Sequence, residues 1–486
     1  MRRLLPALVL LAVVVACSGG GDGGALPSGT SGGTSGGGTS GGGTSGGGTS
    51  GGTSGGTSGG LPPCTSGEAP DDAIGVYVAP TGSDGPTAGS RQAPFKTVRA
   101  ALDAAKAGGK ARVYVAPGNY AELKVLELGE ATPPIVIEGG WLVTGADWTR
   151  SCEPGARGKT TVTGGGTVLV ATSVRGGGLA HLTVAAGIVL PASIGGDDRP
   201  GGTSVGVLVR GAGSRLSLVD VRVSGGMAGD ASRASGGDGG SGTVACDHVT
   251  DCQDGSAGTP GAAGAHATKG VGTFTSDGAY VTEDGEPGTR GTDARNGTAG
   301  GAAPLVSGCG LCSDGACIVS DVTAGQGLCG CGGRGGGGGR GGRGGGAGVG
   351  LLVAGADVVV EVSSSDIVAG YGGDGREGGD GALGAEGGDG EEGARLLCGT
   401  GSCTSQGEYC IFTSDAWMSG GTAGGDGGRG GDGKDGGSGG GGPSFALVAV
   451  GGAQANVDGA TKLTAGRGGR GGSGAAAGLE KPRYDL

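Results

Sequence analysis

Three stretches of this chain place glycine at every third position through eight consecutive triplets: Gly327 to Gly348, Gly372 to Gly393 and Gly421 to Gly442. A strict three-residue period with a hydrogen-only side chain is what extended left-handed helices require when they pack side by side, because the glycine position faces the neighbouring backbone. Collagen packs by the same rule with proline in the other positions. Here those positions hold mostly Gly, Asp, Arg, Glu, Ala and Lys, with no proline inside the runs, so bundled polyglycine-type helices are expected and a triple helix is not. The competing reading of the same composition is a glycine-rich loop without order. The bundled reading, the one favoured, points to a surface or binding structure more than to an enzyme.

The first 16 residues read as an export signal. Arg2 and Arg3 precede the apolar run Leu4 to Val15, which is too short for a membrane span. The run ends in Val14-Val15-Ala16-Cys17, which resembles the lipobox of bacterial lipoproteins. That resemblance implies cleavage before Cys17 and a lipid on that cysteine, hence a protein held on a membrane, with the outer membrane or cell surface as its destination. Residues 17–63 form a Gly/Ser/Thr tether with nothing to bury. Its reach is about 40 Å, from roughly 5 to 6 Å times the square root of its length. Loss of Arg2 and Arg3 moves the net charge from −12 to −14, which argues against nucleic acid as a partner.

With Cys17 reserved for lipid, twelve cysteines remain: Cys64, Cys152, Cys246, Cys252, Cys309, Cys312, Cys317, Cys329, Cys331, Cys398, Cys403 and Cys410. In an exported chain with 133 glycines and 3% aromatics, disulfides are the expected use, supplying restraint that packing cannot. Spacing does not give the connectivity.

Residues 74–122 run strand, helix, strand: Ile74-Gly-Val-Tyr-Val-Ala-Pro, then Ala93-Pro-Phe-Lys-Thr-Val-Arg-Ala-Ala-Leu-Asp-Ala-Ala, then Val113-Tyr-Val-Ala-Pro-Gly-Asn-Tyr-Ala-Glu. Val98, Ala101, Leu102 and Ala105 recur at helical spacing and give the middle segment, beginning near Thr97, one apolar face. This order resembles the amino-terminal cap of right-handed parallel β-helix proteins of the pectate-lyase-like superfamily. The fold class expected is therefore all-β, a right-handed parallel β-helix with an N-terminal capping helix and Gly-X-Y insertions. A weak repeat supports it: Val168–Gly187, Ser204–Gly226, a short cysteine-bearing copy around Ala316–Val322, Val349–Gly370 and Phe445–Gly466, each two or three short β-branched strands. The expected organisation is a signal at 1–16, the tether at 17–63, cap and first coils at 64–165, and coils at 166–486 interrupted by insertions at 225–303, 326–348 and 371–443. Each run is expected to fold out and back on one side of the stack. Such runs resemble the glycine-rich antifreeze proteins of springtails, phage tip adhesins and mycobacterial glycine-rich surface repeats.

Superfamily enzymes imply a basic residue that abstracts a proton beside a uronate and a calcium ion held by carboxylates. The candidates here are Asp220, Asp321 and Asp366, read as one register of the repeat, with Arg222 nearby; the alternative for that register is a turn, which His181 and Lys462 in comparable places suit better. No catalytic residue, metal or cofactor is expected on this reading; calcium is the one cofactor these acids could serve. Cys246 to Cys252 with His248 and Asp254 offers metal ligands or a disulfide-closed loop. Cys309, Cys312, Cys317, Cys329 and Cys331 have zinc or dithiol spacing, with structural disulfides favoured outside the cytosol. Gly430 to Ser438 matches part of a calcium-binding nonapeptide once, without repeating. The function expected is a lipid-anchored surface protein with a structural, adhesive or ligand-binding role toward carbohydrate or envelope components. The alternative is a calcium-dependent polysaccharide lyase or related enzyme.

Overall fold

The computed structural model describes residues 65–486 except 154, 190–198, 233, 235, 237–242, 247–251, 304, 314–315 and 404–409, and for 306–320, 322 and 399–416 the backbone alone. Strand β1 (Gly75–Val78) and helix α1 (Val98–Gly108) come first, followed by six coils. The first coil is β2 (Arg112–Val115), β3 (Gly118–Ala121) and β4 (Leu126–Leu128). The second is β5 (Val136–Glu138), a hairpin β6 (Trp141–Thr144) and β7 (Asp147–Arg150), then β8 (Thr160–Gly164) and β9 (Thr167–Thr172). The third is β10 (Arg175–Ala180), β11 (Thr183–Ala186) and β12 (Ser204–Arg210).

The fourth coil opens with β13 (Arg215–Val219) and β14 (Arg222–Ser224). It is interrupted by 225–347, which carries β15 (Thr273–Phe274), β16 (Tyr280–Val281), β17 (Leu305–Ser313) and β18 (Ala316–Thr323), and closes with β19 (Gly348–Ala354). The fifth is β20 (Val359–Ser363) and β21 (Asp366–Val368), an insertion holding β22 (Leu396–Cys403) and β23 (Cys410–Met418), then β24 (Ser444–Val450). The sixth is β25 (Gln454–Val457), β26 (Lys462–Thr464) and β27 (Glu480–Asp485).

Stacking these coils makes three parallel sheets, β1-β2-β5-β10-β13-β20-β25, β3-β8-β11-β14-β21-β26 and β4-β9-β12-β19-β24-β27. This is a right-handed parallel β-helix. Every inward position stacks on its like in the next coil. One column runs Leu126, Leu169, Val207, Leu351, Leu447; another runs Tyr120, Val162, Val184, Val223, Ile367, Leu463. A pleat of period two puts alternate residues inside, and β-branched or Leu side chains fill the column. Four of the five repeat copies read from the sequence are coils. The fifth, around Ala316–Val322, is not: it forms β18, antiparallel to β17 inside the insertion.

The helix closes the first end. Val98, Ala101, Leu102 and Ala105 are its buried residues and join the main core, as the spacing predicted. Thr97 caps it through its hydroxyl, which accepts from the Ala100 amide, and Gly109 ends it in the left-handed region at φ 62°. Glu122, just past β3, accepts the Val98 amide at 2.8 Å. Burial pushes the Glu122 carboxyl above its ordinary value despite the bonds it accepts from the Val98 and Arg99 amides.

Candidate functional site

All the long interruptions leave between the second and third sheets, after β14, β21 and β26, and return at β19, β24 and β27. The chain therefore stacks its insertions as it stacks its coils. Five legs are described: leg one 253–267, leg two 283–300, leg three 326–347, leg four 370–394 and leg five 420–443. Legs three and five run parallel. The amides of Gly330, Gly333, Gly336, Gly339, Gly342 and Gly345 donate to the carbonyls of Gly425, Gly428, Gly431, Lys434, Gly437 and Gly440 at 2.8 to 3.0 Å. Leg five in turn sends the amides of Gly427, Gly430, Gly433, Gly436 and Gly439 to leg four, and those of Gly428, Gly431, Lys434, Gly437 and Gly440 to leg two. Its carbonyls at Arg429, Asp432, Asp435 and Ser438 accept from leg one. Successive residues thus face different neighbours, which is the geometry of a three-residue helix without internal hydrogen bonds.

Legs three and five have glycine in about two of every three positions and legs one and two in about one, although leg two, like leg three, is bonded to three other legs. A methyl at Gly381 would lie 2.4 Å from the Gly433 carbonyl oxygen, and at Gly433 it would lie 2.0 Å from that of Gly337. These are ordered, packed legs and not loose loops. The constant register along legs three, four and five shows each run to be one straight leg. The expectation that each run folds back on itself is corrected: the reversals come from the β17–β18 and β22–β23 hairpins, whose strands form one antiparallel sheet in the order β18-β17-β22-β23. Where a leg has no neighbour to receive an amide, a carboxylate does so: Asp435 accepts Gly381, Asp432 accepts Gly384 and Asp426 accepts Gly390. The partial calcium nonapeptide at Gly430 to Ser438 is thus a stretch of leg five, with its acids holding amides.

Cys246 pairs with Cys331 and Cys252 with Cys329. The first two cysteines therefore do not close a loop on each other; they staple the start of leg one and the segment before it to leg three. Cys152 and Cys398 are also disulfide-bonded. In the antiparallel sheet Cys312 stands opposite Cys317, and Cys403 opposite Cys410; Cys309 is on β17. Asp254 receives the Ser256 hydroxyl and amide and pairs with Arg295, so it caps the turn into leg one. The Ser256 hydroxyl bond is the main cause holding its carboxyl below the usual value. His248, Cys64 and Cys17 lie outside the described residues.

The three candidate acids separate. Asp321 is on β18, away from the coils. Asp220 sits in the turn between β13 and β14 with φ 49°, the place held by His181 (φ 53°) in the coil before and Ser364 (φ 50°) in the coil after. Asp366 begins β21, in line with Arg222 and Lys462. Left-handed backbone at a tight corner suits Asp and Asn, which explains Asp220 as a turn residue with His181 before it; Asp366 lies on a strand two positions further on, so the single register expected for these acids is corrected. What does join Asp220 and Asp366 is Arg157, from the 3-10 turn before β8: its guanidinium is 3.1 Å from Asp220 Oδ1 and 2.6 Å from Asp366 Oδ2, and it donates to the Ser364 carbonyl. His181 Nδ1 lies 3.0 Å from Asp220 Oδ2. Both carboxylates are held by a cation that reaches from the second coil to side chains of the fourth and fifth. Among the described residues no cluster of three or more His, Cys, Asp or Glu forms a metal cage. Nothing in the sequence flagged Arg157, because only the stacking of coils brings it over residues 63 and 209 positions away.

The fold thus defines a class, a β-helix carrying a stapled bundle of glycine legs. Residues 80–189 match a family described as a protein of unknown function, DUF1565, over less than a quarter of the chain. Similar solved structures include Escherichia coli YbhC, at 16% identity and a TM-score of 0.19, covering 30% of this chain and 42% of that one. Another is the pectin methylesterase from Aspergillus niger, at 16% identity and a TM-score of 0.20, covering 34% and 56%. The matches span about half the length of those proteins. No curated protein matches the chain.

Proposed function

We propose that this chain is a lipid-anchored surface protein whose β-helix serves to hold the leg bundle out from the cell in an adhesive, structural or ligand-binding role. The observation that carries this reading is the common exit corner: insertions from successive coils leave by one corner and pack into one body. A scaffold built to present something gains from that arrangement, whereas a groove enzyme gains nothing from it. Asp220 and Asp366, tied by Arg157, serve the stack. Cys17 carries the lipid, and the 17–63 tether gives the body clearance from the membrane of about 40 Å. No helix among the described residues is long and apolar enough to cross a membrane.

The test is fractionation of cells expressing the Cys17→Ala chain. On this reading the variant leaves the membrane fraction after export while the parent stays in it; a variant retained as fully as the parent overturns the anchor. Pectate supplied with calcium should yield no unsaturated uronate, and a steady rise in its absorbance would assign the protein to the lyases instead.

A further inference from the structure

The composition changes abruptly where the legs end. Strands β17, β18, β22 and β23 are 8 or 9 residues each, and together they contain two charged residues, Asp321 and Asp415, with no Lys, Arg, Glu or Pro. The chain as a whole is 16% charged. β18 and β23 are the outer strands of that sheet, and among the described residues no strand pairs with their free sides. β23 reads Cys410-Ile-Phe-Thr-Ser-Asp-Ala-Trp-Met418, rich in β-branched and aromatic residues. Trp417 is 67% exposed and faces Leu397, itself 40% exposed, across the β22–β23 ladder; Trp141 and Trp148 are both 2% exposed.

The other ends of this molecule are guarded. Helix α1 covers the first coil. At the last coil β27 reads Glu480-Lys-Pro-Arg-Tyr-Asp485, and its proline and charges discourage a further strand. A long, nearly uncharged edge without such residues is a template for strand addition. β23 also complements itself. Paired antiparallel about Ser414, it sets Trp417 opposite Ile411, Phe412 opposite Ala416 and Asp415 opposite Thr413, so aromatic positions meet small or β-branched ones and the two acids stay apart.

We infer that the free edge of β23 is a contact site whose occupant is the β23 edge of a second copy of this chain. The inference rests on the display reading and names the partner. Antiparallel addition continues the pattern of the existing sheet. Because β23 runs back toward its own scaffold through leg five, an antiparallel partner's scaffold lies in the opposite direction, and the pair joins two surfaces instead of two neighbours on one.

The experiment uses the exported Cys17→Ala chain with its disulfides intact, so that self-association is read in solution and independently of the anchor. Sedimentation over a concentration series should show a monomer–dimer equilibrium, with amide protection at 410–418 rising as dimer forms. Ile411→Lys/Trp417→Lys should weaken the dimer at least about tenfold, the factor that separates affinities by 1.4 kcal/mol, while exchange in leg five stays unchanged. A chain that remains monomeric at every concentration overturns the inference, as does a dimer whose protection appears elsewhere; both readouts come from the unaltered edge and need no variant.

Discussion

The coils and the legs are two solutions to the same problem, the lateral stacking of extended backbone, and they use side chains in opposite ways. In the coils each inward column is filled: Leu351 is buried between Val207 and Leu447, and stability comes from apolar area removed from water. In the legs the contact is made where side chains are missing, and the legs are joined by one amide-to-carbonyl bond per triplet with each neighbour. Deleting atoms should therefore damage the first region, and adding atoms the second.

The largest effect expected is at the coil column. Leu351→Ala leaves a cavity between two coils and should cost about 2–5 kcal/mol, read as a lower denaturation midpoint of the scaffold. Next is the staple: Cys252→Ala/Cys329→Ala frees a closure across 77 residues and should cost about 2–4 kcal/mol, with faster proteolysis confined to the bundle. Gly433→Ala, whose methyl would lie 2.0 Å from the Gly337 oxygen, should cost about 1–3 kcal/mol as overpacking does, although it adds only one carbon. Equal effects of Leu351→Ala and Gly433→Ala on both regions would erase the distinction between them.

The smallest effect concerns the capped end of the coils. Glu122 has its carboxyl raised above the ordinary 4.5, chiefly by burial. A carboxyl raised in the folded state contributes stability that is present below 4.5 and lost as pH climbs through the folded value. Thermal melts from acid to neutral pH should show Glu122→Gln gaining relative to the parent as pH rises; a constant difference would contradict this.

The β-helix was legible because its signals are local: the α1 face at Val98, Ala101, Leu102 and Ala105, and four repeats of β-branched strands. The glycine register was equally plain. What failed was anything that period two cannot distinguish. Ser320-Asp-Val322 reads like Ser365-Asp-Ile367, Ser-Asp before a β-branched residue, yet the first is in an antiparallel hairpin and the second in a coil, so Asp321 was grouped with Asp220 and Asp366, which themselves fall at different places of the coil. Disulfide partners and the Arg157 bridge depend on which coil or leg lies beside which, and no spacing along the chain encodes that.

The central claim is that triplet glycines order the bundle by close backbone approach. Amide exchange and limited proteolysis of Gly381→Ala beside Glu377→Ala test it directly, since a methyl at Gly381 would lie 2.4 Å from the Gly433 oxygen while Glu377 is exposed. The account predicts slow exchange in the parent and in Glu377→Ala, a surface change worth no more than about 0.5 kcal/mol, and faster exchange along legs four and five in Gly381→Ala. Rapid exchange with indistinguishable profiles in all three proteins would contradict it and leave a β-helix with unordered insertions.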